Sequence, residues 1–200
     1  MRILIIGGGG TIGKRLTEYF RKANEVLVAG RSNANLTVDI AQSASIESLL
    51  EKTGKLDAII CAAGEAKWAN FDDLTEDDYY IGLRSKLMGQ VNLVRLAKKY
   101  ITAGGSITLT SGILAEDPVA MTTSAAMVNG ALHSFVKAVV LDLNQDLRIN
   151  VVACGLVEDA IEKYLDYFPG HHPIPMDKML RGYIRSVEGR GTGEIIRIYQ

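Results

Sequence analysis

Five glycines close to the start of the chain restrict its fold more than any other feature. The apolar run Ile3–Ile6 is followed by Gly7, Gly10 and Gly13, and a stretch with helical periodicity comes next. A side chain at such a strand-to-helix turn would block both the tight bend and the close approach of a phosphate group to backbone N–H donors at the helix N-terminus. A flexible turn or a close helix–strand contact would need the same glycines, but the position at the first βα turn favours dinucleotide binding. The candidate pyrophosphate-binding residues are Gly7, Gly10, Thr11, Ile12 and Gly13.

Short apolar runs alternate with helical stretches along the rest of the chain, which is typical of βαβ units on a parallel sheet. Most of the runs lack polar alternation, so both faces of the sheet should be covered by helices. Right-handed crossovers then favour a single doubly wound Rossmann domain of the α/β class over residues 1–200, with seven parallel strands in the order 3-2-1-4-5-6-7. The predicted strands are Ile3–Ile6, Val26–Ala29, Leu36–Asp39, Asp57–Cys61, Ser106–Thr110, Ile149–Ala153 and Glu194–Tyr199.

Two long helices are predicted in the middle of the chain. Thr75 and Asp78 approximate a capping box, which predicts a helix from Thr75 to about Tyr100. A second helix is predicted from about Thr122 to Asn144, with one apolar stripe facing the sheet. The segment Phe168–Pro175 has the composition of a loop, and it could cover a site.

Composition narrows the function classes. The chain has 22 basic and 23 acidic residues, so it lacks the positive field that binding to a nucleic-acid backbone requires. The first apolar run is too short for a signal peptide and no later run is long enough for a membrane span, so we expect a cytoplasmic protein that does not enter membranes. Cys61 and Cys154 end apolar runs and are expected to be buried free thiols rather than a disulfide or a metal pair.

The residues after the second predicted strand bear on the choice of dinucleotide. Arg31 and Ser32 occupy the place of an acid that would bind a ribose 2′-hydroxyl, and an Arg pairs instead with a 2′-phosphate. This favours NADP(H) over NAD(H), although a surface Arg at a strand end would look the same. Asp39 could contact the adenine amino group, and the small residues Ala62, Ala63 and Gly64 end the fourth strand where the cofactor backbone must pass.

Motifs along almost the whole chain resemble those of the short-chain dehydrogenase/reductase family. They are IIGGGGTIG, the Arg after the second strand, VDI, DAIICAAG, LTSG, the helix beginning near Ser124, and RINVVACG. The resemblance implies a nicotinamide-dependent oxidoreductase of a small carbonyl or alcohol. It also implies a homodimer or homotetramer formed through the two long central helices.

The resemblance also exposes departures at the catalytic residues. Ser111 matches the family Ser that polarises the substrate carbonyl, but Ala125 and Asn129 stand where the family has the Tyr and the Lys of its YxxxK motif. Neither replacement can donate the proton or lower the pKa of a donor. Lys86 replaces a structural Asn and could supply a positive charge, although a lysine on a helix is more often a solvated surface residue. Cys154 replaces the family Pro before Gly155, which remains as a cofactor-contacting candidate.

Few residues are candidates for a replacement proton donor. Tyr164 and Tyr167 follow the sixth strand and could reach the nicotinamide, but packing anchors are the alternative. His133 is one turn beyond Asn129 and is expected to be a packed or partner-facing histidine. His171 and His172 lack a third metal ligand at suitable spacing, so we expect loop residues and no metal site.

Two hypotheses follow from the sequence. The first is an NADP(H)-dependent reductase that uses Ser111, and Lys86 if it faces the site, with a non-standard proton donor. The second is an NADP(H)-binding sensor or scaffold without turnover, because both residues of the usual proton-donating pair are replaced.

Overall fold

A computed structural model describes residues 1–32, 34–143 and 146–199 of the chain. Seven parallel strands form one sheet in the order β3-β2-β1-β4-β5-β6-β7, which confirms the predicted fold class and strand order. The strands are β1 (Arg2–Ile6), β2 (Glu25–Gly30), β3 (Leu36–Thr37), β4 (Leu56–Cys61), β5 (Ile101–Gly112), β6 (Leu147–Cys154) and β7 (Ile195–Ile198).

Helices cover both faces of this sheet, and β1 shows why. Leu4 and Ile6 belong to a core shared with the helices at 43–53, 89–97 and 123–139, whereas Ile3 and Ile5 belong to a second core shared with the helices at 11–20 and 176–188. All four side chains are fully buried, and each contributes roughly 1.5–3 kcal/mol relative to an exposed side chain. The described helices are α1 (Thr11–Phe20), α2 (Ser43–Thr53), α3 (Glu76–Gly82), α4 (Gly89–Ala97), α5 (Thr123–Val139), α6 (Ile161–Tyr164) and α7 (Met176–Glu188).

The predicted helix from Thr75 to Tyr100 is divided in the structure. Thr75 and Asp78 form the capping box: the Asp78 N–H donates to Thr75 Oγ1 at 3.3 Å, and the Thr75 N–H donates to Asp78 Oδ2 at 3.0 Å. Between α3 and α4, however, Leu83–Met88 is a π-helical segment, and α4 ends at Ala97 because β5 begins only a few residues later. This π-helical segment carries Lys86, so the irregular turn lies at a residue proposed for the site.

Other element boundaries were predicted too long or too short. The third strand ends at Thr37 rather than Asp39, because the Asp39 carboxylate accepts the Ala41 N–H at 3.0 Å and turns the chain. The helix predicted to reach Asn144 ends at Val139. After it, the N–H groups of Leu141 and Asp142 each donate to the carbonyl three residues earlier, which tightens the backbone. Asn144 lies outside the described residues. The fifth strand begins five residues earlier than predicted, at Ile101 rather than Ser106.

The loop and thiol predictions are confirmed. Phe168–Pro175 contains no helix, and its one strand-like contact is the bridge between Ile174 and Val157. Cys61 and Cys154 are buried free thiols. Within the described ranges, no helix is both long enough and apolar enough to cross a membrane.

Candidate functional site

The glycine turn between β1 and α1 is built so that backbone atoms touch one another. Gly7 has a φ of +86°, its N–H donates to the Ala29 carbonyl at 2.8 Å, and a Cβ on it would lie 2.7 Å from the Ala62 carbonyl oxygen. A Cβ on Gly13 would collide with the Gly7 carbonyl oxygen. Glycine is therefore required at these two positions by the fold of the turn itself.

The N-terminus of α1 opens beside this turn. Gly10 is the N-cap residue and has no side chain to accept a hydrogen bond, so the first N–H groups of the helix, those of Thr11, Ile12 and Gly13, have no partner within the helix. Such donors, together with the positive end of the helix dipole, attract anions. The turn is thus suited to phosphate groups.

Two adjoining clefts lie along the carboxyl ends of the strands, where doubly wound sheets bind their ligands. The larger has a volume of about 490 Å³ and the smaller about 270 Å³, and they share Ala62, Gly64 and Glu65. The larger cleft is lined by the predicted site residues Thr11, Ile12, Lys86, Ser111 and Gly155. The smaller is lined by the predicted site residues Gly7, Gly10, Arg31, Ser32, Asp39 and Ala63. Gly13 lines neither cleft and instead lies packed beneath Gly7.

Arg31 crosses the smaller cleft and pairs with Glu65, a residue that the sequence analysis did not single out. Its guanidinium donates two parallel hydrogen bonds to the Glu65 carboxylate, at 2.9 and 3.1 Å, which raises the pKa of Arg31. Both side chains are largely exposed. Exposed pairs contribute about 0–1 kcal/mol, so an anion of higher charge can displace Glu65.

Ser111 lies at the end of β5 and is bonded to a histidine. Its Oγ is 2.7 Å from His133 Nε2, and both side chains are buried. His133 is packed, as expected, but it contacts the site rather than pointing away from it. The helical spacing could have indicated this position of His133. Ala125, Asn129 and His133 are four residues apart and share one face of α5, and the first two of them line the larger cleft.

Glu116 lies on the other side of His133. The distance from His133 Nδ1 to Glu116 Oε1 is 3.6 Å. Arg197 donates hydrogen bonds to both carboxylate oxygens, Tyr199 Oη donates another at 2.6 Å, and these contacts lower the pKa of Glu116 to about 2. The carboxylate is therefore ionised and held in place. Sequence reasoning missed Glu116, Arg197 and Tyr199. Glu116 follows β5, whereas the other two lie in or directly after β7, so only the strand order of the sheet brings them together.

Lys86 reaches the larger cleft from the π-helical segment. The side chain is half-buried, and burial lowers its pKa. Burial raises the pKa of the nearby Cys61 and Cys154 thiols to about 11, so both stay protonated at neutral pH. Gly64 makes this arrangement possible, since a Cβ there would lie 2.9 Å from the Lys86 Cα.

Asn129 brings an unsatisfied polar atom to the same cleft. The residue is 3% exposed, and its Oδ1 has no hydrogen-bond partner among the described residues. A buried amide oxygen without a partner costs roughly 1–3 kcal/mol, which makes it a natural acceptor for a hydroxyl or amide of a ligand. Ala125, one turn earlier, contributes only a small apolar surface.

An aromatic group closes the far side of the larger cleft. The Trp68 ring packs against Tyr164 at 5.3 Å between centroids and edge-on against Tyr167 at 5.5 Å. Of the two tyrosines, Tyr164 lines the cleft, while Tyr167 lies outside its lining. His171 is held by Asp117, with 2.9 Å between His171 Nε2 and Asp117 Oδ2. These contacts favour packing roles for the tyrosines.

Comparisons with known proteins agree with this geometry. A family model described as enoyl-(acyl carrier protein) reductase matches residues 13–173. The crystal structure of the protein lin1944 from Listeria innocua is 40% identical, with a TM-score of 0.97 and full coverage of both chains. A small-chain dehydrogenase solved in complex with NADPH is 24% identical, with a TM-score of 0.86 and coverage of 98% of this chain and 95% of that one.

The chain matches only part of the length of its curated sequence relatives. An uncharacterized oxidoreductase of Methylorubrum extorquens is 26% identical over 139 residues, which is 66% of this chain and 55% of that protein. The present chain thus spans little more than half of this curated relative.

Proposed function

The chain belongs to the short-chain dehydrogenase/reductase family, and on that premise we propose that it is an NADP(H)-dependent oxidoreductase of a small carbonyl or alcohol. The observation that carries this proposal is the continuity of the two clefts, which run from Arg31 past the glycine turn to Ser111. A dinucleotide needs such a path, because its two nucleotides are joined by a pyrophosphate in the middle.

The residues of the smaller cleft fit the adenosine half of the cofactor. Beside it, the N–H groups of Thr11 and Ile12, which line the larger cleft, accommodate the pyrophosphate. Arg31 and Ser32 bind the 2′-phosphate, which replaces Glu65 as the partner of the guanidinium. Asp39 faces the adenine, and the backbone of Ala62, Ala63 and Gly64 lines the path toward the larger cleft. The structural relative that holds NADPH supports the choice of the phosphorylated dinucleotide.

The larger cleft accommodates the nicotinamide half and the substrate. NADPH supplies a hydride there when it is bound. Ser111 Oγ donates a hydrogen bond to the substrate carbonyl, and the Lys86 ammonium adds a positive charge that stabilises the developing oxyanion. Asn129 Oδ1 accepts a hydrogen bond from a hydroxyl or amide of the bound molecules, and Gly155 contacts the carboxamide.

This assignment includes a departure from the family's catalytic motif. Ala125 and Asn129 face the cleft from α5 at the positions where the family carries its Tyr and Lys. The proton that accompanies the hydride must therefore come from another group. Tyr164 lines the cleft, but its ring packs on Trp68, so we assign it a packing role rather than the role of proton donor.

We also propose that two or four copies associate through the central helices. Exposed apolar side chains lie along α3, the π-helical segment and α5; they are Tyr80, Ile81, Met88 and Met127. These three elements pack against one another, and exposed apolar side chains on neighbouring elements are typical of an interface. Sedimentation should give a dimer or tetramer, and Met127→Lys should shift it toward a monomer; a monomeric wild-type protein would contradict this proposal.

Turnover assays test the proposed activity. The purified protein is incubated with NADPH and a panel of aldehydes, ketones and quinones, and NADPH binding is measured separately by calorimetry. Ser111→Ala should lower kcat by about 100-fold or more without changing the Kd for NADPH, since one oxyanion donor contributes that much. Tight NADPH binding without turnover on any substrate would favour the sensor or scaffold, and undiminished turnover in Ser111→Ala would remove Ser111 from the mechanism.

A further inference from the structure

A chain of three polar side chains connects the larger cleft to the protein surface. Ser111 lines the cleft, its Oγ is 2.7 Å from His133 Nε2, and Glu116 Oε1 is 3.6 Å from His133 Nδ1. Building on the proposed function, we propose that His133 supplies the proton of the reduction through Ser111, and that Glu116 positions the His133 ring.

Ser111 cannot supply this proton alone. A serine hydroxyl that gives its proton to the substrate oxygen becomes an alkoxide, which is far too basic to persist unless another group replaces the proton at once. His133 Nε2 is at hydrogen-bond distance from Oγ, and its imidazolium, which forms as the pH falls through the pKa of the ring, is a proton source. The short contact therefore places the missing acid one atom behind the hydroxyl.

Glu116 fixes the orientation and charge of that ring. Its carboxylate is held by Arg197 and Tyr199 and faces His133 Nδ1. A carboxylate at Nδ1 favours a proton on this nitrogen, which leaves Nε2 to exchange its proton with Ser111. In Ser-His-Asp enzymes a buried, hydrogen-bonded acid orients the imidazole. Here the partly exposed Glu116 acts on Nδ1 through its charge at 3.6 Å, and the serine passes on a proton and does not attack the substrate.

The atoms of the step balance as follows. The carbonyl carbon accepts the hydride and forms a C–H bond, while the electron pair of the C=O double bond moves to oxygen. That oxygen takes the proton of Ser111 Oγ, and Oγ takes the Nε2 proton of the His133 imidazolium, which becomes neutral imidazole. The carbonyl is reduced to an alcohol, NADPH is oxidised to NADP⁺, and water in the open cleft returns a proton to His133 through Ser111 after the product leaves.

The surroundings of His133 set the pH range of the step. Burial is the largest influence and lowers its pKa, Glu116 raises it, and Arg197 on β7 and Lys137 on α5 lower it. Tyr199, which directly follows β7, faces Glu116 rather than the ring. Reduction should therefore slow as the pH rises through the pKa of His133, which lies below the ordinary histidine value.

Nuclear magnetic resonance of the cofactor-free protein tests the arrangement without turnover. Long-range ¹H–¹⁵N spectra over about pH 5 to 8 should show His133 neutral in the Nδ1–H form above its pKa and doubly protonated below it. Glu116→Gln should lower that pKa, because the favourable charge is removed. A His133 that keeps the Nε2–H form throughout, or one whose pKa ignores Glu116→Gln, would overturn the proposal.

Kinetics give the second test. His133→Gln should lower kcat for carbonyl reduction by about 100-fold or more and flatten its pH profile, with the Kd for NADPH unchanged. Glu116→Gln should move the decline of kcat with rising pH to lower pH, and this variant replaces the first test if His133→Gln does not fold. His171→Gln is the matched control, because this histidine also contacts a carboxylate, and it should keep the wild-type pH profile. A profile that is unchanged in Glu116→Gln or His133→Gln refutes the proton role, whereas absent wild-type turnover refutes the proposed function and leaves the magnetic resonance result to decide the geometry.

Discussion

The ion pair between Arg31 and Glu65 makes the preference for NADPH over NADH predictable. Arg31 stands where a 2′-phosphate would bind, and the Glu65 carboxylate already occupies both arms of its guanidinium. Arg31→Ala removes the phosphate partner, and Glu65→Gln removes the competitor. The two changes should therefore move the preference in opposite directions.

The magnitude follows from the two interactions that exchange. A charge-assisted hydrogen-bonded pair with phosphate contributes about 1.5–3 kcal/mol, and the exposed pair with Glu65 that must be broken contributes about 0–1 kcal/mol. The net gain is about 0.5–3 kcal/mol, which corresponds to roughly a 2- to 160-fold preference for NADPH. Arg31→Ala should remove this preference, and Glu65→Gln should increase it by up to about 5-fold.

Calorimetry with each dinucleotide measures this directly. The Kd values for NADPH and NADH are compared in the wild type and in both variants, at low and at physiological salt. Arg185→Ala is the matched control, because Arg185 is as exposed as Arg31 and is also paired with a glutamate, Glu194, but lies away from the clefts. The NADH affinity should change little in any variant.

Two outcomes would refute this reasoning. If Arg31→Ala leaves the ratio of the two Kd values unchanged, Arg31 does not bind the 2′-phosphate. If Glu65→Gln weakens NADPH binding, Glu65 supports the cofactor rather than competing with it.

Further predictions concern stability and reactivity. Gly13→Ala should destabilise the fold by about 3 kcal/mol in urea unfolding, because its Cβ meets fixed backbone atoms, whereas Gly30→Ala, with no atom nearer than 3.5 Å, should be nearly neutral. The pKa of Glu116 is lowered to about 2, so this carboxylate stabilises the fold above its unfolded pKa near 4.5, and the contribution is lost as the pH falls from there toward 2. After discounting for solvent screening, we expect a contribution of about 1–2 kcal/mol to the free energy of unfolding. Unfolding measured against pH should show this contribution in the wild type and not in Glu116→Gln. Cys61 and Cys154 should react with a thiol reagent at pH 8 far more slowly in the native than in the unfolded protein, because burial shields them and raises both pKa values to about 11; fast native labelling would contradict their burial.

The fold was predictable because its main determinants are local in sequence. The glycine spacing and the uninterrupted apolar runs specify βα units, and the handedness of crossovers then leaves few strand orders. Boundaries failed where side chains compete with the backbone, as at Asp39, where a carboxylate ends the strand early. The π-helical segment Leu83–Met88 was also not predictable, because the apolar residues around Lys86 give no pattern that distinguishes it from an α-helix.

The site was predictable at the turn and only partly at its catalytic end. Residues on consecutive units, such as Gly7 and Arg31, keep a fixed relation to the sheet edge. The contact of Ser111 with His133, and of His133 with Glu116, depends on how deeply α5 packs and on β7 lying beside β6. Those distances are tertiary, so a sequence pattern could place His133 on the correct face of α5 but could not bring it within reach of Ser111.

The contact of Gly7 with the Ala62 carbonyl has a kinetic consequence. The two strands it joins, β1 and β4, are neighbours in the sheet but are separated in the chain by α1, β2, β3 and α2. Closing so long a loop is slow, so the cofactor groove should form only after much of the chain has collapsed. A dinucleotide added during refolding would then find its binding surface late, and it would lengthen the lifetime of the native state more than it hastened its arrival.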